Sequence, residues 1–302
     1  MNENQWLADC FEDHRPRLRS VAYRMLGSLT EADDAVQDAW MRVSRAGADE
    51  VENLGGWLTT VLARVCLNIL RSRNARREEL AGVHVPDPVV SPDGALGPED
   101  EALLADSVGL ALLVVLDTLA PAERLAFVLH DVFDLPFEEI APMVDRTPTA
   151  VRQLASRARR RVKRADIRAP DPDLARQRVV ANAFFSAARE GDFDALLAVL
   201  HPNVVVRIDA GAGRPAASMA IHGAGAVARQ ALEGFTSALA HATTKVHPAL
   251  VNGAAGVIVT VAGRPMTVVG FTIVADKIVE IDSIADPERV RRIVAGAAFA
   301  DE

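Results

Sequence analysis

Cysteine, tyrosine and long apolar runs are scarce in this chain. Its 302 residues include 2 cysteines and 1 tyrosine, and aromatic residues make up only 5%. Cys10 and Cys66 stand far apart, each amid apolar positions at helical spacing, so neither a disulfide framework nor a metal-ligand spacing is present. Both are expected as reduced core thiols. No apolar run approaches the roughly 18 residues that span a bilayer. The first residues, Met-Asn-Glu-Asn-Gln, lack a signal-peptide pattern. A cytoplasmic protein without membrane contact is the expectation. A basic excess is missing as well, because 33 Lys and Arg face 41 Asp and Glu for a net charge of −8, which argues against general coating of nucleic acid. No zinc spacing, phosphate loop or nucleophile elbow occurs, so no metal, no cofactor and no catalytic residue is expected.

What is present is apolar content and one focused basic stretch. Apolar residues make up 50% of the chain, enough for two or three packed cores, and this length predicts more than one domain. The most informative segment runs from Thr147 to Lys163. Thr147 suits a helix N-cap, and Pro148 suits the first helical position, where its missing N–H costs nothing. Val151, Leu154, Ala155, Ala158 and Val162 recur at helical spacing and form one apolar face. The other face carries Thr149, Arg152, Gln153, Ser156, Arg157, Arg159, Arg160, Arg161 and Lys163, with no acid among them. Phosphates attract such a face, and Arg and Gln can read base edges. A solvated basic helix is the plain alternative. Upstream, Phe137, Ile140, Ala141 and Val144 give a short amphipathic helix that ends just before Asp145-Arg146-Thr147-Pro148. Two helices joined by so tight a turn make a helix-turn-helix, with Thr149, Arg152 and Gln153 of the second helix nearest the bases.

The rest of the chain divides by texture. Residues from about Trp6 to Arg77 read as nearly continuous helix, broken near Gly27-Ser28 and from Gly47 to Gly56. Within it, Ala35, Val36, Ala39, Trp40 and Val43 share an apolar phase, opposite Asp34, Gln37, Asp38 and Arg42. The helix opening near Gly55-Gly56-Trp57 turns from apolar to basic at Arg71, Arg73, Arg76 and Arg77. Val83 to Asp100 is rich in proline, glycine and acids and has no periodicity, so it reads as a flexible tether. A second helical module extends from about Leu103 to Arg164, and Ala169-Pro170-Asp171-Pro172 stops its last helix. Beyond Asp173 two helices, Val179 to Arg189 and Phe193 to Leu200, precede a strand from Val204 to Asp209 and a small-residue helix from Gly223 to Phe235. Strand-like runs follow at Thr244 to Val251, Gly256 to Val261, Met266 to Val274 and Ile278 to Ile284, joined by turns such as Asn252-Gly253 and Asp276-Lys277. A final helix starts near Asp286-Pro287. Helices followed by a run of antiparallel strands predict an α+β domain.

Several stretches of the two helical modules, in this order, carry a family likeness. Tyr23-Arg24-Met25-Leu26-Gly27-Ser28 is followed by Ala32-Asp33-Asp34-Ala35-Val36-Gln37-Asp38-Ala39-Trp40. Trp57-Leu58 and Asn68 to Arg77 come next, then Leu119-Ala120-Pro121-Ala122-Glu123-Arg124, Phe127, Glu139-Ile140-Ala141, Val151-Arg152 and Arg157-Ala158-Arg159. Together these resemble the extracytoplasmic-function sigma factors, small bacterial promoter-recognition subunits of RNA polymerase. The resemblance implies that residues 1–80 are sigma region 2, which docks on core polymerase through Asp34, Gln37 and Asp38 and recognises the melted −10 element through Trp57, Arg64, Asn68, Arg71 and Arg73. A pocket in the Gly47 to Gly56 loop would receive unstacked bases. Trp40 reads as core on its apolar phase, with an interface anchor as the alternative, and Trp57 reads as a packed core residue or a base-stacking platform. Residues 81–102 are then a linker and 103–166 sigma region 4, whose helix-turn-helix binds the −35 element through Thr149, Arg152, Gln153, Ser156, Arg157, Arg159 and Arg160.

Residues 167–174 form a second linker, and 175–302 resemble the SnoaL-like, cone-shaped α+β fold of the nuclear-transport-factor superfamily. A subgroup of sigma factors carries such an extension, with an Asp-Gly-Gly-Gly segment and a late Asn-Pro-Asp-Lys segment. Here Asp209-Ala210-Gly211-Ala212-Gly213-Arg214 and Asp286-Pro287-Glu288-Arg289 stand at those places, both departing from the pattern. The expected function is promoter-specific transcription initiation with core RNA polymerase and promoter DNA as partners, modulated in cis by intramolecular contacts of the extension. The rival reading makes the extension a small-molecule enzyme or ligand sensor fused to a DNA-binding regulator, with Asp209, His222 and Asp282 as pocket candidates and His247 a further one. None of these forms a catalytic motif, and fold alone does not confer an activity. His222, before Gly223, reads as a turn histidine. The expectation is therefore a protein that recognises and does not catalyse.

Overall fold

A computed structural model describes residues 3–46, 53–77, 83–91, 109–165, 169–239 and 244–295. These fall into two compact units, one made of Met1–Glu79, Pro98–Ser107 and Leu112–Ile167, the other of Leu80–Gly97, Val108–Ala111 and Arg168–Glu302.

The first unit is all helical among the described residues. Helices α1 (Glu3–Leu26), α2 (Leu29–Ala46) and α3 (Leu54–Arg77) pack around Phe11, Leu18, Val36, Leu62 and Leu67. Gly27 ends α1 in a left-handed conformation, φ 72°, and its N–H reaches back to the Tyr23 carbonyl at 2.7 Å. A side chain is disfavoured there, so the glycine sets the break between α1 and α2. Helix α4 (Gly109–Asp117) leads to α5 (Pro121–Phe127), which continues as a π-helical turn over Val128–Val132. The helix-turn-helix is α6 (Phe137–Ile140), extended by a 3-10 turn at Ala141–Met143, and α7 (Pro148–Arg164).

Both helical modules belong to this one unit, where the sequence predicts two bodies on a tether. Arg124, on α5, is 1% exposed and donates to the Arg24 carbonyl of α1 and to Asp117 of α4, both at 3.1 Å. The Arg24 guanidinium lies 5.2 Å from the Phe133 ring centroid, and Arg64 of α3 donates to the Pro142 carbonyl at 3.2 Å. A buried cation is tolerated only with such partners. The composition of a linker reports its own solubility and nothing about the faces it connects, which is why the packing was hidden in the sequence.

The second unit is built on a seven-stranded sheet of order β1-β4-β5-β6-β7-β2-β3. Its strands are β1 (Val90–Ser91), β2 (Leu200–Asp209), β3 (Met219–His222), β4 (Thr244–Val251), β5 (Ala254–Val261), β6 (Arg264–Val274) and β7 (Lys277–Ile284). All neighbours are antiparallel except β2 and β7. Three hairpins turn at Asn252-Gly253, Ala262-Gly263 and Ala275-Asp276, with positive φ at both residues of each pair. That is the turn whose twist matches the strands. Helices α8 (Leu174–Glu190), α9 (Phe193–Val199) and α10 (Ala224–Leu239) bury Phe184, Leu196 and Val227 against Val206, Phe271 and Ile281 of the sheet. Helix α11 (Pro287–Ile293) follows β7, capped by Asp286, whose carboxylate accepts from the Glu288 and Arg289 amides. This is an α+β domain of helices packed on a mostly antiparallel sheet, the class that the sequence predicts.

The segment read as a flexible tether differs from expectation where it is described. Residues 83–91 lie on the second unit, ending in β1, which pairs Val90 with Val251 and Ser91 with Leu250. The remainder of that linker, and residues 166–168 of the next, lie outside the described residues. Val83, Val85 and Val89, all at odd positions of the segment, are the signal that proline content masked. No helix among the described residues is long and apolar enough to cross a membrane.

Candidate functional site

Helix α7 forms as its sequence dictates. The Thr147 side chain caps it by accepting from the Ala150 amide at 3.2 Å, and Pro148 occupies its first turn. Val151, Ala155 and Ala158 are buried on the inner face, where small side chains let α5 approach closely. Thr149, Arg152, Gln153, Ser156, Arg157, Arg159 and Arg160 are all exposed. The helix therefore presents every side chain named for the −35 element on one accessible, cationic surface. The neighbouring acids are arranged beneath it: Glu123 pairs with Arg157 at 3.1 Å and Arg161 at 3.3 Å, and Asp131 pairs with Arg159. Arg152 packs its guanidinium 5.2 Å from the centroid of Phe137, which orients it at the amino-terminal half of the helix. Pairs of this kind hold side chains in place and contribute little net stability at an exposed surface.

The residues named for the −10 element separate into two groups. Arg64, Asn68 and Arg71 are exposed along α3, and Trp57 is half-buried at its first turns. Arg73 turns inward instead, donating to the Leu26 carbonyl at 2.8 Å and pairing with Glu31. The side chains of Arg76 and Arg77 and residues 47–52 of the loop lie outside the described residues. At the described end of that loop a cavity of about 420 Å³ is lined by His14, Arg17, Asn53, Gly55, Gly56 and, from the helix-turn-helix module, Glu139. On α2, Asp34 and Gln37 are exposed, and Asp38 is half-buried and pairs with Arg42 at 2.9 Å. Trp40 packs against Phe11, ring centroids 4.9 Å apart and planes tilted by 48°.

The Sigma-70 region 2 family model matches residues 10–76 and the Sigma-70 region 4 model residues 109–162. The probable ECF RNA polymerase sigma factor SigI of Mycobacterium tuberculosis (strain CDC 1551 / Oshkosh) is 40% identical over 216 residues, 70% of this chain and 73% of the relative. The chain belongs to the extracytoplasmic-function RNA polymerase sigma factors. A second relative, the ECF RNA polymerase sigma factor SigJ of Mycobacterium tuberculosis (strain ATCC 25618 / H37Rv), is 40% identical over 220 residues, 72% of this chain and 70% of the relative. The crystal structure of the Mycobacterium tuberculosis factor SigJ superimposes with a TM-score of 0.71 at 31% identity, covering 97% of this chain and 100% of the other. Directing promoter-dependent transcription initiation is thus the function of this sigma factor.

In the sigma factor's carboxyl-terminal domain, the sequence-named polar residues do not line the large cavity. Asp209, at the end of β2, is 3% exposed and gathers the Val85 amide at 2.9 Å, the Gly211 amide at 2.9 Å, His84 at 3.0 Å and Arg289 at 2.6 Å. Burial opposes its ionisation, but these donors and the Arg289 charge outweigh it and hold the carboxyl well below the usual range. Arg289 also binds Asp87 and the Val85 carbonyl, so the Asp209 and Asp286 segments meet on residues 84–87. Asp282 is buried, which pushes its pKa up to about 6 against the pull of Arg207, 3.0 Å away. His222 is exposed at the end of β3, within a strand and not in a turn, opposite Val205. His247 shares a hydrogen bond with Thr260 at 2.9 Å. The cavity itself, about 280 Å³, is walled by Phe184, Phe185, Val206, Ile208, Val259 and Val269. Sequence reasoning expected a pocket here but named other residues for it, because an apolar cavity wall has the same alternation as an ordinary core. Cys66 is inert: burial pushes its thiol up to about 12. No group of His, Cys, Asp or Glu among the described residues is placed to hold a metal.

Proposed function

We propose that α7 is the −35 reader of this sigma factor, with Thr149, Arg152, Gln153 and Ser156 facing base edges and Arg157, Arg159 and Arg160 along the phosphates. The observation that carries this reading is the exposure of that whole set on a helix whose opposite face is buried. A helix of this kind fits the major groove, where Arg and Gln pair with guanine and adenine edges. Arg64, Asn68 and Arg71 serve the melted −10 strand, and the cavity beside Gly55 and Gly56 takes an unstacked base. Arg73 positions α3 and does not touch DNA. Asp34, Gln37 and Asp38 meet core polymerase. The extension acts in cis through residues 84–91, the part of the inter-module linker that it holds, and has no catalytic role.

Run-off transcription with core polymerase tests the assignment. Arg152→Ala is expected to lower promoter-dependent product by roughly fivefold or more, consistent with about 1–3 kcal/mol for one base-edge contact. Asp34→Arg is expected to lower co-purification with core polymerase. Unchanged transcription by Arg152→Ala would remove the reading of α7.

A further inference from the structure

We infer that the cavity of the carboxyl-terminal domain is a binding site for a small, uncharged, mostly apolar molecule, and that it binds without turnover. Its walls come from α8 and α10 on one side and strands β2, β4, β5, β6 and β7 on the other. Phe184 and Phe185 meet edge to face, centroids 5.5 Å apart, and present ring surface at the cavity's end. At about 280 Å³ the space is near the lower end of small-molecule sites, which run from ~300 to 1,000 Å³.

The polar groups on the wall are few and, among the described residues, all neutral. They are Gln230, Thr244, Thr267 and Ser283, and among the described residues the lining holds no Asp, Glu, His, Lys, Arg, Tyr or Cys. Gln230, Thr267 and Ser283 make no side-chain hydrogen bond with another described residue, so they stand ready to orient one or two polar atoms of a guest. A charged guest would lose its hydration with no counter-charge to replace it, and that cost excludes it. General acid or base catalysis needs a titratable group within reach of the reacting atom, and the described residues of the wall supply none.

The ionisable groups lie on the other side of the same strands. On β7, Ile281 and Ser283 face the cavity, whereas Asp282 between them pairs with Arg207. On β2, Val206 and Ile208 face the cavity, whereas Arg207 and Asp209 hold β7 and residues 84–85. The two-residue period of a strand thus keeps charge out of the cavity and puts its wall one residue away from the Asp209 cluster.

A matched pair of fluorescent probes tests this with the full-length protein. N-phenylnaphthylamine is neutral and brightens in apolar surroundings; anilinonaphthalene sulfonate has the same rings plus a fixed negative charge. The neutral probe is expected to bind saturably, one molecule per chain, at least tenfold more tightly than the sulfonate. Ala231→Phe, from α10, and Ser283→Phe, from β7, each fill the cavity and are expected to weaken it tenfold or more while the thermal midpoint stays within a few degrees. Equal binding of the two probes by the unaltered protein overturns the assignment of charge. Undiminished binding by a folded filled variant, or no saturable binding at all, overturns the site.

Discussion

Single residues of the same type do different work here, and their partners decide which. Arg71 and Arg73 are two positions apart on α3, yet Arg71 is exposed and Arg73 is tied to the Leu26 carbonyl and Glu31. Arg73→Ala is expected to cost about 1.5–3 kcal/mol, the range for hydrogen bonds to a charged group, and to lower the thermal midpoint by several degrees. Arg71→Ala is expected to leave the midpoint in place while weakening the binding of a single-stranded −10 oligonucleotide, read by fluorescence anisotropy. The acids of the extension contribute to pH dependence with opposite signs. Asp282, raised to about 6 by burial, keeps its proton in the folded state while the unfolded chain loses it near 4, so its contribution to stability falls as pH rises through that window. Asp282→Asn is expected to gain stability relative to the parent between pH 4 and pH 7, measured by thermal unfolding. Asp209, held low by its donors, stabilises above the ordinary carboxylate range, and that stability is lost as pH falls below it.

At the scale of elements, the helices follow from local chemistry and the edge strand does not. Thr147, Pro148 and the Val151, Ala155, Ala158 spacing suffice to predict α7 and its buried face, and the turn chemistry of Asn252-Gly253 predicts the β4–β5 hairpin. Strand β1 depends on a partner about 160 residues away. Its anchor is reciprocal: the Val89 amide donates to Asn252 Oδ1 at 2.7 Å, and the Asn252 amide donates to the Val89 carbonyl at 2.8 Å. Asn252 sits at φ 50°, so glycine preserves the turn while removing the side chain and its bond to the Val89 amide. Asn252→Gly is expected to speed amide exchange across residues 85–91 by roughly 5- to 30-fold, the change that ~1–2 kcal/mol produces. Unchanged exchange there would show that the segment is held by β1 pairing and the Asp209 cluster alone.

The whole molecule poses a problem of reach. On the proposed reading the −35 and −10 elements are separate stretches of one promoter, and each base pair between them adds ~3.4 Å along B-form DNA. A compact body of the first unit's size has a radius of gyration of roughly 15 Å. With Arg124 joined to Arg24 and Asp117, and Glu139 lining the cavity beside Gly55, the two modules are packed together, closer than the proposed reading of two separate promoter elements requires. They are expected to separate on polymerase and promoter: labels at Asn68 and Gln153 should show a fall in energy transfer when holoenzyme forms. No fall would place the promoter-bound state in the packed arrangement and contradict the two-element reading.

The sequence by itself determined the helices, the helix-turn-helix, the strand run and the cationic face of α7, because each rests on spacing and capping within a few residues. It also carried the family likeness, through motifs that are contiguous. Only the tertiary structure decided that Arg73 turns inward, that Asp209 and Arg289 close on residues 84–87 and that Asp282 faces away from the cavity. Those outcomes depend on which distant groups meet, and a charged side chain reads alike in sequence whether it faces DNA, a carbonyl or another charge.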